Sequence, residues 1–209
     1  MTVQHLEFLV EERSMEAALN RLLPRMLVDI SFQVYPFQNK SDMLRKLPHR
    51  LAGYANRIRR DPGFRDHCRV VVLIDRDDDD CFSLKGRLED MAVKAGLTTF
   101  TRQQRTTWHI LNRIVIEELE AWFFGDWDAV RTAYPRVNKK LPNQAGYRNP
   151  DAIAGWTWEA LERVLKRSGY FATGLRKTEA ARQIAGHMTP AKNRSRSFQV
   201  FRDALGAIR

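Results

Sequence analysis

The sequence predicts an α/β fold, a parallel sheet flanked by helices, with a basic and mainly helical extension at its C-terminal end. Three observations lead there. Apolar runs of strand length alternate with stretches of helical periodicity over the first 134 residues. The run Val70-Val71-Val72-Leu73-Ile74 is uniformly apolar, as a strand covered on both faces must be. At 209 residues the chain is long enough to bury one sizeable core. The expected organisation is an α/β unit over residues 1–134 and a basic, mainly helical extension over residues 135–209 packed on it.

His5–Val10 reads as the first strand, with Leu6, Phe8 and Val10 alternating. Ser14 is positioned to cap a helix carrying Met15, Ala18, Leu19, Leu22 and Leu23 on one face, and Pro24 predicts a kink or early stop. Residues 30–37 read as a second strand. A helical stretch follows through Leu44, Leu47, Leu51, Tyr54 and Ile58, with an interruption expected near Pro48. Residues 69–75 form the clearest strand. Phe82, Leu84, Leu88, Met91 and Ala92 then mark a helix closed by Gly96. Residues 109–116 are the fourth strand, a helix begins over 117–124, and Asp126 caps the next one. Residues 135–155 lack periodicity and read as a loop. Helices are expected near 157–168, 177–187 and 197–208.

The formal charge of +10 is unevenly spread. Residues 1–129 hold 19 Lys/Arg against 20 Asp/Glu, whereas residues 130–209 hold 16 against 5. A block this basic favours a polyanionic partner, nucleic acid above all, through phosphate neutralisation; a solvated basic surface is the alternative. Lys139, Lys140, Arg148, Arg176, Lys177, Arg194 and Arg196 are the candidate nucleic-acid contacts. No apolar run reaches membrane-span length, and the first residues lack the basic-then-apolar layout of a signal peptide, which predicts a cytoplasmic protein without membrane contact. Cys68 and Cys81 are too far apart for a paired metal motif.

The strongest chemical feature is Asp75-Arg76-Asp77-Asp78-Asp79-Asp80, set directly on the end of the apolar strand. In an extended backbone Asp75, Asp77 and Asp79 share one side. Carboxylates so crowded repel unless a cation neutralises them, and hard oxygen ligands suit Mg²⁺ or Mn²⁺. A calcium loop is excluded: counted from Asp75, the sixth position is Asp80 where Gly is required and the twelfth is Gly86 where Glu is required. An acidic solvated turn is the remaining alternative. Glu11 and Glu12 stand at the equivalent place after the first strand, with Glu16 one helical turn on, and Glu117-Glu118-Leu119-Glu120 follows the fourth. Three strands ending in acid strengthen the reading of a site at the carboxyl edge of a sheet.

The pattern Leu9-Val10-Glu11-Glu12 with Glu16, then Ile74-Asp75-Arg76-Asp77, then Glu120-Ala121-Trp122 resembles the Toprim domain, in its bacterial branch of OLD-type and RloB-like nucleases. More narrowly it resembles a bacterial Toprim-like family described only as a domain of unknown function. The resemblance spans about residues 5–125. It implies a Toprim-like fold and a Mg²⁺-dependent nuclease acting on DNA or RNA, in antiphage defence beside an ABC-type ATPase partner. Glu11 would be a metal ligand or the general acid/base, Asp75 and Asp77 metal ligands, and Glu16, Asp79 and Glu120 a second metal position. Lys177 would be the catalytic cation, with Lys85 as its rival. Toprim proteins usually carry Gly after the first Glu, and Glu12 there favours the alternative, a non-catalytic metal- and nucleic-acid-binding regulatory subunit. His109 and the five tryptophans are read as structural, and no phosphate-binding loop is present.

Overall fold

The computed structural model describes residues 2–102 and 108–208. Four strands, β1 (His5–Val10), β2 (Ser31–Pro36), β3 (Cys68–Asp75) and β4 (Ile110–Val115), form one parallel sheet in the order β2-β1-β3-β4. From β1 the chain moves outward to β2, then crosses back over β1 to β3 and on to β4. The direction of winding therefore reverses between β1 and β3, and their carboxyl ends flank the crevice where open α/β sheets bind ligands.

Strand alternation sorts the core into two layers. Leu6, Phe8 and Val10 of β1 and Val71 and Leu73 of β3 face one layer; Leu9, Val70, Val72 and Ile74 face the other. The second layer is closed by α2 (Lys40–Arg60), α3 (Pro62–His67) and α4 (Cys81–Lys94). The first is closed by α1 (Arg13–Leu22), α5 (Glu120–Gly125), α6 (Trp127–Ala133), α7 (Thr157–Arg167), α8 (Lys177–His187) and α9 (Arg196–Gly206). Phe198 and Phe201 of α9 pack on Trp122 of α5, so the apolar core continues from the sheet into the basic C-terminal part. Among the described residues no helix is long and apolar enough to cross a membrane.

Four local features differ from the sequence expectation. The helix around Pro48 is not interrupted: α2 runs unbroken through it, because the proline faces solvent while Met43, Leu47, Leu51, Tyr54 and Ile58 anchor the opposite face. Phe82 does not join the core face of α4; it is 87% exposed, while Leu84, Leu88 and Ala92 are buried. Glu12, not Ser14, occupies the cap position of α1, and the Ser14 hydroxyl donates to the Glu12 carboxylate. The loop of residues 135–155 contains three 3₁₀ turns, Leu141–Asn143, Ala145–Tyr147 and Pro150–Ala152.

The packing of α8 on α1 matters most for the site. Small residues (Ala18 of α1 and Ala180, Ala181 and Ala185 of α8) are buried in the same core cluster and allow close approach of the two helices. At the far end the Arg25 guanidinium donates to the Met188 carbonyl at 2.6 Å and to that of Ala185, which fixes the two helices in parallel. Their N-termini therefore emerge together beside the end of β1, bringing Lys177 next to Glu12.

Candidate metal and phosphate site

Glu11 follows β1 directly and Asp75 is the last residue of β3, so strand pairing alone sets them side by side. The Asp75 amide donates to Glu11 Oε2 at 3.1 Å. Both are buried, and Asp75 Oδ1 has no hydrogen-bond partner, an arrangement that carries a penalty unless a proton or a cation meets it. Beyond Asp75 the strand stops and the chain turns; Asp77 has a left-handed backbone (φ 50°), which Asp tolerates better than most residues. Its amide donates to the Glu117 carbonyl at 3.0 Å, and Glu117 is itself left-handed (φ 58°). The Arg76 guanidinium closes this junction on the Glu117 carboxylate. Two strained non-glycine residues bound to one another at the strand tips are the kind of backbone found where side chains must be aimed.

The two lysines divide the acids between them. Lys40, at the start of α2, bonds the Arg76 carbonyl at 2.7 Å and pairs with Asp77 at 3.1 Å and Asp79 at 2.7 Å. Lys177 has its ammonium 4.7 Å from the Trp158 ring centre, a cation–π distance. Burial pulls its pKa down, but Glu120, Glu12, Glu118 and Asp75 together hold it above the usual lysine value. The carboxylates respond in the opposite sense. Burial, then Asp77, raises Glu11; burial, then Glu11, Glu120 and Asp77, raises Asp75 well above the usual range. Glu120, buried behind them, is pushed up to about 7 by burial. These are carboxyls that a cation would return to their charged form.

Glu11, Glu12, Asp75, Asp77, Glu118, Trp156, Trp158, Glu159 and Lys177 line an open cavity of about 370 Å³. Of the residues singled out from sequence, the fold thus gathers Glu11, Asp75, Asp77 and Lys177, with Glu120 just behind. Glu16 on α1 does not line the cavity, and Asp79 is engaged by Lys40. Lys85 is turned elsewhere: its ammonium bonds the Asn112 carbonyl at 2.6 Å and Glu89 at 2.8 Å. Among the described residues no three His, Cys, Asp or Glu side chains already converge as a metal-holding group. The donor set nevertheless fits a hard divalent ion: all oxygen, one buried acceptor without a partner, and mutual repulsion.

Sequence reasoning missed Lys40, Glu118 and the aromatic wall. Glu118 accepts from the Trp158 amide and the Thr157 hydroxyl, both at 2.9 Å, which ties the start of α7 to the site and sets Trp156 and Trp158 at its rim. Trp108, Trp122 and Trp127 are core residues, as expected, and His109 accepts from the Thr98 amide at 3.2 Å within the sheet edge. Glu12, where a glycine was expected, has an extended backbone (φ −148°), so a side chain fits there without strain. The basic candidates are dispersed. Lys139, Lys140, Arg148, Arg194 and Arg196 are exposed and none lines the acidic cavity; Arg176 pairs with Glu179 at 3.0 Å. Lys139 and Arg194 line a separate cavity of about 390 Å³ shared with Asp126 and Asp128.

Fold and site together define a class: parallel α/β proteins with an acidic, lysine-flanked cavity at the carboxyl-edge switch point. Within it, the chain belongs to the family DUF4276, a domain of unknown function, whose model matches residues 10–206. Among solved structures the chain is similar to the C-terminal region of the Burkholderia pseudomallei OLD protein, at 14% identity and a TM-score of 0.47, covering 98% of this chain and 100% of that one. No curated protein matches it.

Proposed function

We propose that the chain is a Mg²⁺-dependent nuclease of Toprim type, hydrolysing phosphodiester bonds in DNA or RNA. One observation carries the reading: Glu11 and Asp75 in contact at the β1–β3 switch point, with a buried Asp75 oxygen lacking any partner, open to a cavity that Lys177 also lines. Glu11, Asp75 and Asp77 would hold the ion, with Glu120 behind them. When bound, such an ion supplies a lowered pKa for water and charge stabilisation at phosphate oxygens. The chain's own groups do the rest. Lys177 offers a positive charge to a phosphate entering the cavity. Glu11 serves as one of those ligands or as the general acid/base; in the metal-free protein burial, then Asp77, raises its carboxyl to about 7. Trp156 and Trp158 narrow the rim, and Lys40 keeps Asp77 from swinging away. The motif resemblance to OLD-type nucleases supports a role in antiphage defence beside an ABC-type ATPase.

The test is incubation of the purified protein with plasmid and with tRNA in Mg²⁺ or Mn²⁺. Cleavage is expected, and it is expected to vanish in the Asp75→Ala plus Asp77→Ala variant; cleavage that survives both changes would falsify the site. A second reading has its own observation. Lys40 already neutralises Asp77 and Asp79, as a permanent internal cation would in a non-catalytic, nucleic-acid-binding regulatory subunit. Tight, salt-sensitive binding with no turnover in any metal or with any partner ATPase selects that reading.

A further inference from the structure

A larger groove of about 890 Å³ opens beside the acidic cavity and shares two wall residues with it, Glu12 and Lys177. It runs past the end of β2, between the joint N-termini of α1 and α8 on one side and α2 on the other. Its chemistry differs from that of its neighbour. Tyr35 and Phe37 lie half-buried along the wall, two residues apart and so on one side of the chain. The Arg50 guanidinium lies 4.9 Å from the Tyr35 ring centre, and Arg13 and Lys177 stand at the end nearer the acids. Among the described residues no carboxylate is within ion-pair distance of Arg13, Arg50 or Lys177. Of the groove's two acids, Glu12 stands at the end shared with the acidic cavity, and Asp42 is already neutralised by Arg45 at 2.6 Å and Lys46 at 2.7 Å.

Cations without an ion-pair partner beside half-buried aromatic side chains that line the groove match the chemistry of a nucleic-acid strand whose bases are out of the duplex. A base reaches a tyrosine or phenylalanine face only when it is unstacked and unpaired, and the volume suits a nucleotide or two. We infer that this groove binds a single nucleic-acid strand on its way to the acidic cavity, its phosphates on Arg13, Arg50 and Lys177 and a base against Tyr35 and Phe37. The inference rests on the nuclease reading for the direction of the strand, and it assigns the substrate as single-stranded or frayed nucleic acid. It also moves the main contact surface from the basic C-terminal third to the mouth of the sheet.

The experiment is fluorescence anisotropy in EDTA with the full chain, using labelled twelve-nucleotide dT and U strands and a twelve-base-pair duplex. Single strands are expected to bind at least about tenfold more tightly than the duplex. Tyr35→Ala/Phe37→Ala and Arg13→Glu/Arg50→Glu are each expected to weaken single-strand binding about tenfold or more. The arginine pair is exposed, so that variant reports even where the aromatic one fails to fold. A preference for either sugar supports the groove and names the source of the strand. Equal binding of duplex and single strand overturns the inference. So does a normal Arg13→Glu/Arg50→Glu variant when Lys139→Glu/Arg194→Glu loses binding. Because binding is read without metal, the two readings fail separately: groove-dependent binding without cleavage supports the groove and removes the nuclease, and cleavage with groove variants binding normally does the reverse.

Discussion

Glu120 gives the site a measurable signature in the metal-free protein. It is 2% exposed, and burial pushes its carboxyl from an ordinary 4.5 to about 7. A shift of that size corresponds to about 3 kcal/mol. Below pH 4.5 the group is protonated in the folded and unfolded chain alike, and it costs the native state nothing. Between 4.5 and 7 the unfolded chain releases its proton first, so stability falls as pH rises. Above 7 the whole contribution is lost. Asp75 is raised in the same direction and steepens the fall. The ion-paired Asp42, held low chiefly by its hydrogen bond from Lys46, keeps its stabilisation throughout this window and loses it only as pH falls below the ordinary carboxylate range. The perturbation is Glu120→Gln, and the assay is urea unfolding followed by tryptophan fluorescence in EDTA at pH 4 and pH 8. The difference between wild type and variant should shift by about 3 kcal/mol between the two pH values, wild type losing more at pH 8. Mg²⁺ should restore stability to wild type at pH 8 and not at pH 4, since the ion needs the deprotonated carboxylates. Parallel pH profiles for wild type and Glu120→Gln would refute the electrostatic account of the site.

Three further outcomes follow from the packing. Burial pushes the Cys68 thiol up to about 12 while Cys81 is half-exposed, so alkylation at pH 8 should proceed in two phases, with mass spectrometry finding Cys81 modified first. Gly125→Ala should destabilise by about 1–3 kcal/mol in urea, because the new methyl would sit 2.8 Å from the Ser195 amide and against Asn193, the residue that clasps the Trp122 carbonyl. Pro48→Ala should stabilise by about 1–3 kcal/mol in the same assay, since it returns a backbone donor to the middle of an intact helix.

What was legible in the sequence was whatever depended on the chain's local pattern. The four strands announce themselves by apolar runs or alternation, β3 most plainly, and Glu11 and Asp75 are legible because each is an acid set directly on the end of such a strand. Alternation stopped being a guide at Asp75. Asp77 is aimed by a left-handed turn, not by strand geometry, and Asp79 leaves the cluster for Lys40. Pro48 misleads because helix propensity is local, whereas the packing of Met43, Leu47, Leu51, Tyr54 and Ile58 that anchors α2 on both sides of it is tertiary. Lys40 was invisible for the same reason: it lies 36 residues before the carbonyl it bonds and belongs to no acidic motif. Lys85 shows the converse, a lysine near the acids in sequence that the helix turns toward Asn112 and Glu89.

The charge balance of the site carries the argument one step further than its residue inventory. Two ammonium groups stand among the acids, and each has a side. Lys40 serves Asp77 and Asp79, while Lys177 is drawn toward Glu120, Glu12 and Glu118. Between them lies the Glu11–Asp75 pair, which has no cation in ion-pair contact among the described residues and whose inner oxygen has no partner at all. The fold therefore does not spread its unmet negative charge over the whole acidic run that dominates the sequence. It sets the deepest of it, including, among the described residues, the one buried partnerless carboxylate oxygen of the acidic cavity, on the two residues that parallel pairing of β1 and β3 forces together, at the switch point of the sheet. Asp77 to Asp80 are the conspicuous acids, but the demand for a cation comes from the buried pair behind them.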